Sequence, residues 1–353
     1  MLLALMPALL DGSRHEKLLF CLPAANQRLR AALEALGSPR LHIRPWRFTK
    51  RRGEPYLVPL RRRYAGAVRA LAAAERPASI LLVQGRIENL AVPMLALPRD
   101  LRLVSYVPMA HRLADMGRSG TVGDRVRRRL YRRPDLFVVP GPTVATQIAA
   151  AGGVAPVVVV PNVVDPPPPL PCSAARDVLG LPHDRTVALF LGRLEAGQKG
   201  LDLLLGAMRR AGAALRDHIF LFVGSGPEAA GLRRAAVDLA LDIRQIEWTD
   251  RPDLYLSAAD ILLMPSRWEG VPLVMLEAMT YRVPMLASRI DIFTASLPPA
   301  NLVDFATVDL AAAMARVLDP AGRNASDEAA AGVLRGRSLE TSRALFAAAV
   351  AGR

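Results

Sequence analysis

Short apolar runs alternate with longer stretches of helical periodicity along almost the whole chain. In the first half the runs are Ile80 to Val83, Leu103 to Val107, Leu136 to Val139 and Val157 to Val160. In the second half they are Val187 to Leu191, Ile219 to Val223, Ile261 to Met264 and Val283 to Ala287. Four- and five-residue apolar runs separated by helical segments predict βαβ units, and βαβ units predict parallel sheets with helices on both faces. The opening run, Met1 to Leu10, is too short to span a bilayer and has no basic n-region or small-residue cleavage site, so it reads as a first buried strand. Asp11-Gly12 supplies a turn after it, and Ser13-Arg14-His15-Glu16 has the form of a capping box that opens a helix. No later stretch reaches the roughly 20 uninterrupted apolar residues of a spanning helix. The expected membrane contact is therefore peripheral.

Pro161-Asn162-Val163-Val164-Asp165, followed by Pro166 to Pro169, fits neither a helix interior nor a central strand. It reads as a stiff linker between two domains, and 353 residues are enough for two sizeable cores. The predicted fold class is α/β, with two Rossmann-like doubly wound domains and a ligand cleft between them, where the carboxyl ends of the strands face each other.

Hydrophobic residues make up 52% of the chain and charged residues 22%, which excludes a disordered or low-complexity protein. Cys21 and Cys172 are too few for a disulfide framework and lack metal-ligand spacing, which fits a reducing, cytoplasmic compartment. The net charge of +14 is uneven: residues 1–165 hold 26 Lys and Arg against 11 Asp and Glu, whereas residues 166–353 hold 20 against 21. Only the first half is built to meet an anionic surface. Arg125, Arg127, Arg128, Arg129, Arg132 and Arg133 share a helical pattern with an apolar stripe of Val122, Val126 and Leu130, and Arg61, Arg62 and Arg63 open another helix. Such faces suit peripheral contact with an anionic membrane at its inner face, or a lipid diphosphate acceptor, as well as plain solvation. Nucleic acid is not expected as a partner, since interleaved aromatics and a binding motif are lacking.

The chemistry concentrates in two strand–loop–helix segments. In Pro265-Ser266-Arg267-Trp268-Glu269-Gly270-Val271-Pro272-Leu273, Pro272 suits the first helical position, and the N–H groups near Gly270, Val271 and Leu273 would point outward as an anion site. A diphosphate is the natural occupant. Glu269 in the turn and Glu277 in the second helical turn are acceptor-only groups suited to sugar hydroxyl pairs, one on the donor hexose and one on the ribose; two solvated surface glutamates would give the same pattern. In the second segment, Arg193 and Lys199 lie beyond the strand Val187 to Leu191 and could stabilise charge on a departing diphosphate. Lys199 is one of three lysines among 43 arginines. Gly192 and Gly197 have P-loop spacing, but Gln198 occupies the lysine position and no Ser or Thr follows Lys199, so a P-loop is rejected. Gly224-Ser225-Gly226-Pro227 either lets backbone approach a nucleotide or is an ordinary turn. His111, after Leu103 to Val107, could donate to a sugar hydroxyl or be a structural side chain. No metal site is expected, because His15, His42, His183 and His218 lack ligand spacing and no Asp-x-Asp occurs.

With these residues in view, the chain resembles the family-4 retaining glycosyltransferases of GT-B fold (glycosyl transferases group 1), strongly over about 160 to 320 and more weakly before it. The resemblance rests on Arg193 with Lys199-Gly200, on Gly224-Ser225-Gly226-Pro227, on the Glu269/Glu277 pair, and on Pro161 to Asp165 as the interdomain connection. It implies an N-terminal acceptor-binding domain over 1–163, a nucleotide-sugar-binding domain over 164–335, and a final helix within 336–353 that crosses back. It implies Glu269, His111, Arg193 and Lys199 as catalytic residues. Donor binding falls to Arg193, Lys199, Gly224, Glu269, Gly270, Val271, Leu273 and Glu277, and the acceptor loop to Gly12 and Ser13, where one glycine stands in place of the common pair. The implied reaction moves a hexose from a UDP- or GDP-sugar to a glycan or lipid-linked acceptor with retention and without metal or cofactor, as in polysaccharide or glycolipid biosynthesis. A non-catalytic nucleotide-sugar-binding or membrane-docking subunit of the same fold, and a GT-B epimerase, are the alternatives.

Overall fold

The computed structural model describes residues 2–11, 17–49, 51, 53–116 and 120–352. The chain divides into two compact units, one made of Met1–Val163 with Arg337–Arg353 and the other of Val164–Gly336.

In the first unit β1 (Leu18–Pro23) pairs in parallel with β2 (Leu41–Trp46). A four-stranded parallel sheet runs in the order β3 (Ile80–Val83), β4 (Leu103–Tyr106), β5 (Leu136–Val139), β6 (Val157–Val159). The strands are apolar on both sides because both faces are covered. Leu103, Phe137 and Val139 join one core with Tyr64, Ile87 and Leu130, while Val104, Tyr106 and Val138 join another with Leu5, Leu9 and Phe346.

Two sequence expectations fail at the start of this unit. Leu2–Asp11 is a helix, not a strand. Its Leu, Ala and Met are strong helix formers with no β-branched residue among them, and a short apolar run carries no period that separates buried helix from buried strand. Pro7 inside it removes one intrahelical hydrogen bond, but tertiary packing prevails: Leu5, Met6 and Leu9 are buried in one cluster with Phe346, Ala349 and Val350 of the helix Leu339–Ala351. Likewise the helix expected to start at Ser13 gives way to strand β1 from Leu18; residues 12–16, which hold the capping-box pattern, lie outside the described residues. Leu339–Ala351 is fastened to this unit at both ends. Ser342 Oγ donates to Pro161 O at 3.1 Å, and Arg102 donates to the last-turn carbonyls of Ala349 and Val350 at 2.9 and 2.8 Å.

The second unit is one six-stranded parallel sheet. Its strands are β7 (Thr186–Leu191), β8 (His218–Val223), β9 (Asp242–Ile246), β10 (Ile261–Met264), β11 (Met285–Ser288) and β12 (Leu302–Val303). Their spatial order is β12-β11-β10-β7-β8-β9. Counted within the unit, that is the 3-2-1-4-5-6 order of the dinucleotide-binding fold, with its reversal between β7 and β10. Alternation along the strands sends Val187, Leu189, Ile219 and Leu221 to one core and Ala188, Phe190, Phe220 and Phe222 to the other. Each fully buried phenylalanine contributes about 1.5–3 kcal/mol relative to its exposed state. The prolines at 166–169 lie in this unit, where Tyr281 donates its hydroxyl to Pro167 O at 2.6 Å.

Candidate active site

In an open parallel sheet the crevice for a ligand opens beyond the carboxyl ends of the two strands where the order reverses, because the connections there leave in opposite directions. In the second unit those strands are β7 and β10, paired at Ala188 with Ile261 and Leu189 with Leu262. The loop 192–200 follows one and the turn 265–272 follows the other.

These two segments are joined by several contacts. Arg267 donates its backbone N–H to Gln198 O at 2.8 Å, and its guanidinium grips both carboxylate oxygens of Asp202 at 2.7 Å and reaches Ala196 O. The hydrogen bond and charge of Arg267 hold the Asp202 carboxyl below the usual range. Gly200 sits at φ +65°, and a Cβ there would overlap the carbonyl of Pro265. The consequence is a short distance between two side chains 70 residues apart: Lys199 Nζ lies 2.6 Å from Glu269 Oε1. Ser266 Oγ donates to the same oxygen at 2.8 Å, and Gln198 Nε2 lies 3.4 Å from Oε2 and 3.3 Å from Trp268 O. Glu269 is only 5% exposed, so the charge pair and its hydrogen bonds are what make burial of the carboxylate tolerable.

The other expected donor-site residues are arranged differently. Arg193 is not in the Lys199–Glu269 cluster; its side chain is 66% exposed and lies 3.5 Å from Glu195. Glu277 stands in the second turn of the helix Leu273–Thr280, half-buried, and burial pushes its carboxyl above the ordinary value. Pro272 is the N-cap of that helix and not its first residue, with an extended ψ of 131°, and no side chain caps the helix. Leu273 therefore opens the helix itself, one position later than the spacing suggested, with Gly270 and Val271 leading into it. Gly224, at φ +142°, keeps clear a space that the Gly192 carbonyl occupies, and a Cβ on Gly226 would overlap the Leu194 carbonyl. Both glycines thus serve close packing of two loops, which share hydrogen bonds from Gly192 N to Val223 O and from Leu194 N to Ser225 O, both at 3.0 Å.

Sequence reasoning assigned no role to Ser266, Arg267, Gln198 or Asp202. Ser266 sits three residues before Glu269, a spacing compatible with its contact, but the partners of Gln198 and Arg267 follow from strand order, which no local pattern encodes.

In the first unit His111 follows β4. Its Nε2 lies 3.2 Å from Gln147 Nε2, and its carbonyl accepts from Arg127 at 2.9 Å. Gly12 and Ser13 fall outside the described residues. The expected arginine face needs correction. Arg125, Arg128, Arg129 and Arg132 are exposed, but Arg127 and Arg133 turn inward. Arg127 shares the inner face of the helix Thr121–Tyr131 with Gly123, Leu130 and Tyr131, each three or four residues away, and meets Glu88 and Asp124 at 3.2 and 3.4 Å. Arg133 donates to Pro98 O at 2.7 Å. Of the expected apolar stripe only Leu130 is fully buried, and Val122 is 65% exposed. Arg61 also folds back, onto Glu54 and Thr49 O, whereas Arg62 and Arg63 are exposed.

Residues 185–319 match the family model described as glycosyl transferases group 1. The chain is 34% identical over 132 residues to a D-inositol 3-phosphate glycosyltransferase of Saccharomonospora viridis, covering 33% of this chain and 30% of the relative. It is 34% identical over 170 residues to the GDP-mannose-dependent monoacylated alpha-(1-6)-phosphatidylinositol monomannoside mannosyltransferase of Corynebacterium glutamicum, covering 45% of this chain and 44% of that one. The chain thus spans less than half the length of these curated relatives. Among solved structures, Anabaena HepE in complex with UDP and glucose is similar over 100% of this chain and 95% of that one, with a TM-score of 0.75 and 18% identity. WaaG, a glycosyltransferase involved in lipopolysaccharide biosynthesis, is similar over 95% and 100%, with a TM-score of 0.67 and 14% identity. The fold is that of the GT-B glycosyltransferases.

Proposed function

We propose that this chain transfers a hexose from a nucleoside diphosphate sugar, UDP- or GDP-linked, to a glycan or lipid-linked acceptor, with retention of anomeric configuration and without a metal. The observation that carries the proposal is the Lys199–Glu269 pair, held between the loops after β7 and β10 at the reversal of the sheet. Without donor, ammonium and carboxylate satisfy each other. When a diphosphate arrives at the amide-rich segment Gly270, Val271 and Leu273, Lys199 turns part of its donor capacity to the phosphate oxygens, and Glu269 becomes an acceptor for hydroxyls of the hexose. Arg193, exposed and loosely paired, adds the second cation. Glu277 takes the ribose diol. As the bond from the anomeric carbon to the diphosphate oxygen lengthens, negative charge grows on the leaving group, and fixed cations and N–H groups stabilise that charge more than the ground state. His111, in the first unit, acts as hydrogen-bond donor to a substrate hydroxyl. The names of the relatives, which include a GDP-mannose-dependent enzyme, and HepE with UDP and glucose support this donor class.

The test is Lys199→Ala assayed with a panel of UDP- and GDP-sugars and lipid extract, with and without EDTA. Release of nucleoside diphosphate is expected to fall by about 100- to 1,000-fold, as for loss of one transition-state donor, equally in both buffers. Unchanged turnover would remove the cation role. Donor binding by the unmodified chain with no release of nucleoside diphosphate would favour a non-catalytic subunit.

A further inference from the structure

The segment after β4 is held by the carboxamide of Gln147, a buried residue of the helix Pro142–Ala150. Ala110 donates its backbone N–H to Gln147 Oε1 at 2.9 Å, and Gln147 Nε2 lies 3.2 Å from His111 Nε2. A backbone N–H can only donate, so the amide oxygen must face Ala110 and the amide nitrogen must face the imidazole; the reverse orientation would oppose two donors. An amide nitrogen in turn can only donate. His111 Nε2 is therefore the acceptor of the pair, and the ring proton belongs on Nδ1. The backbone of His111 is fixed from the other side, where its carbonyl accepts from Arg127, itself buried between Glu88 and Asp124.

We propose that Gln147 is a positioning residue that locks His111 in the Nδ1–H tautomer, so that Nδ1 is the atom from which this ring offers a proton to a substrate hydroxyl. The tautomer follows from the two contacts of the Gln147 carboxamide, whereas its effect on turnover rests on the role given to His111 above. Gln147→Glu tests both. A carboxylate still accepts from Ala110 but cannot donate to the ring, so it draws a proton onto His111 Nε2.

The experiment is nitrogen-15 NMR of the full chain labelled at histidine, with the His111 signals assigned by their loss in His111→Asn. The unmodified protein should show a protonated Nδ1 and an unprotonated Nε2, and Gln147→Glu a protonated Nε2. Turnover should fall about tenfold or more, with a much smaller change in donor KM and an unchanged melting midpoint. A protonated Nε2 in the unmodified protein, or a ring unaffected by Gln147→Glu, would overturn the proposal; should the variant not fold, the first spectrum decides alone. A switched ring with unchanged turnover would uphold the tautomer and remove His111 from the reaction.

Discussion

Glu269 and Glu277 lie on one segment yet meet opposite surroundings. Glu269 faces an ammonium and a hydroxyl, whereas Glu277 has burial without a cation among the described residues, and its carboxyl is pushed upward. A carboxyl that holds its proton more tightly in the folded chain contributes stability at low pH, and that contribution is lost as pH rises through the raised value. Above it the ionised group opposes folding. Glu277→Gln should therefore raise the melting midpoint at pH 7, with the gain disappearing below the ordinary carboxylate range, as melting curves at the two pH values would record. The same variant should bind UDP or GDP about 10- to 100-fold more weakly by calorimetry, since hydrogen bonds to a charged acceptor contribute about 1.5–3 kcal/mol. A side chain that weakens the empty fold and strengthens the complex is what a binding residue is expected to be.

At the scale of elements, the site depends on loops that touch backbone to backbone. Gly226→Ala would drive a methyl group into the Leu194 carbonyl and push the loop 192–200 away from the turn after β8. The expected cost is about 1–3 kcal/mol, read as a lower melting midpoint of the second unit together with weaker donor binding. The glycine was visible in the sequence, but its reason was not, because the atom it avoids belongs to another strand's loop. The same limit runs through the fold. β3 and β10 begin and end where their apolar runs do, since both are covered on two faces and carry no polar residue to blur the pattern. β9, Asp242-Ile243-Arg244-Gln245-Ile246, shows no apolar run because an edge strand tolerates polar side chains, and Leu2–Asp11 is a helix where its pattern predicts a strand because leucine-rich runs suit either state. Loop chemistry was legible as two separate segments. Their contact through Lys199 and Glu269 required knowing that β7 and β10 are neighbours.

Across the whole molecule, the positive excess lies in residues 1–165, and much of it remains on the surface of the first unit. Arg62, Arg63, Arg125, Arg128, Arg129 and Arg132 are exposed, as are Leu60 at 79% and Val122 at 65%. Cations beside exposed apolar side chains suit the interface of an anionic membrane. Co-sedimentation should favour vesicles containing phosphatidylglycerol over neutral ones and should weaken as salt shortens the screening length from about 10 Å at 0.1 M to about 3 Å at 1 M. Replacing Arg125, Arg128, Arg129 and Arg132 with serine should reduce that binding while leaving nucleoside diphosphate affinity unchanged. Equal recovery with both vesicle types would remove the proposed surface.

The helix Leu339–Ala351 completes the core over Leu5, Met6 and Leu9, yet it follows the entire second unit along the chain. On a ribosome making about 5–20 residues per second, roughly 10–35 s separate the emergence of residue 164 from that of residue 336. Throughout that interval the nascent first unit lacks this helix, and by its end the later-made unit has all six of its strands. The half that was begun first therefore completes its core after the second unit has been made, and synthesis that stops before Leu339 leaves the second unit with all its strands and the apolar flank around Leu5, Met6 and Leu9 open to chaperones.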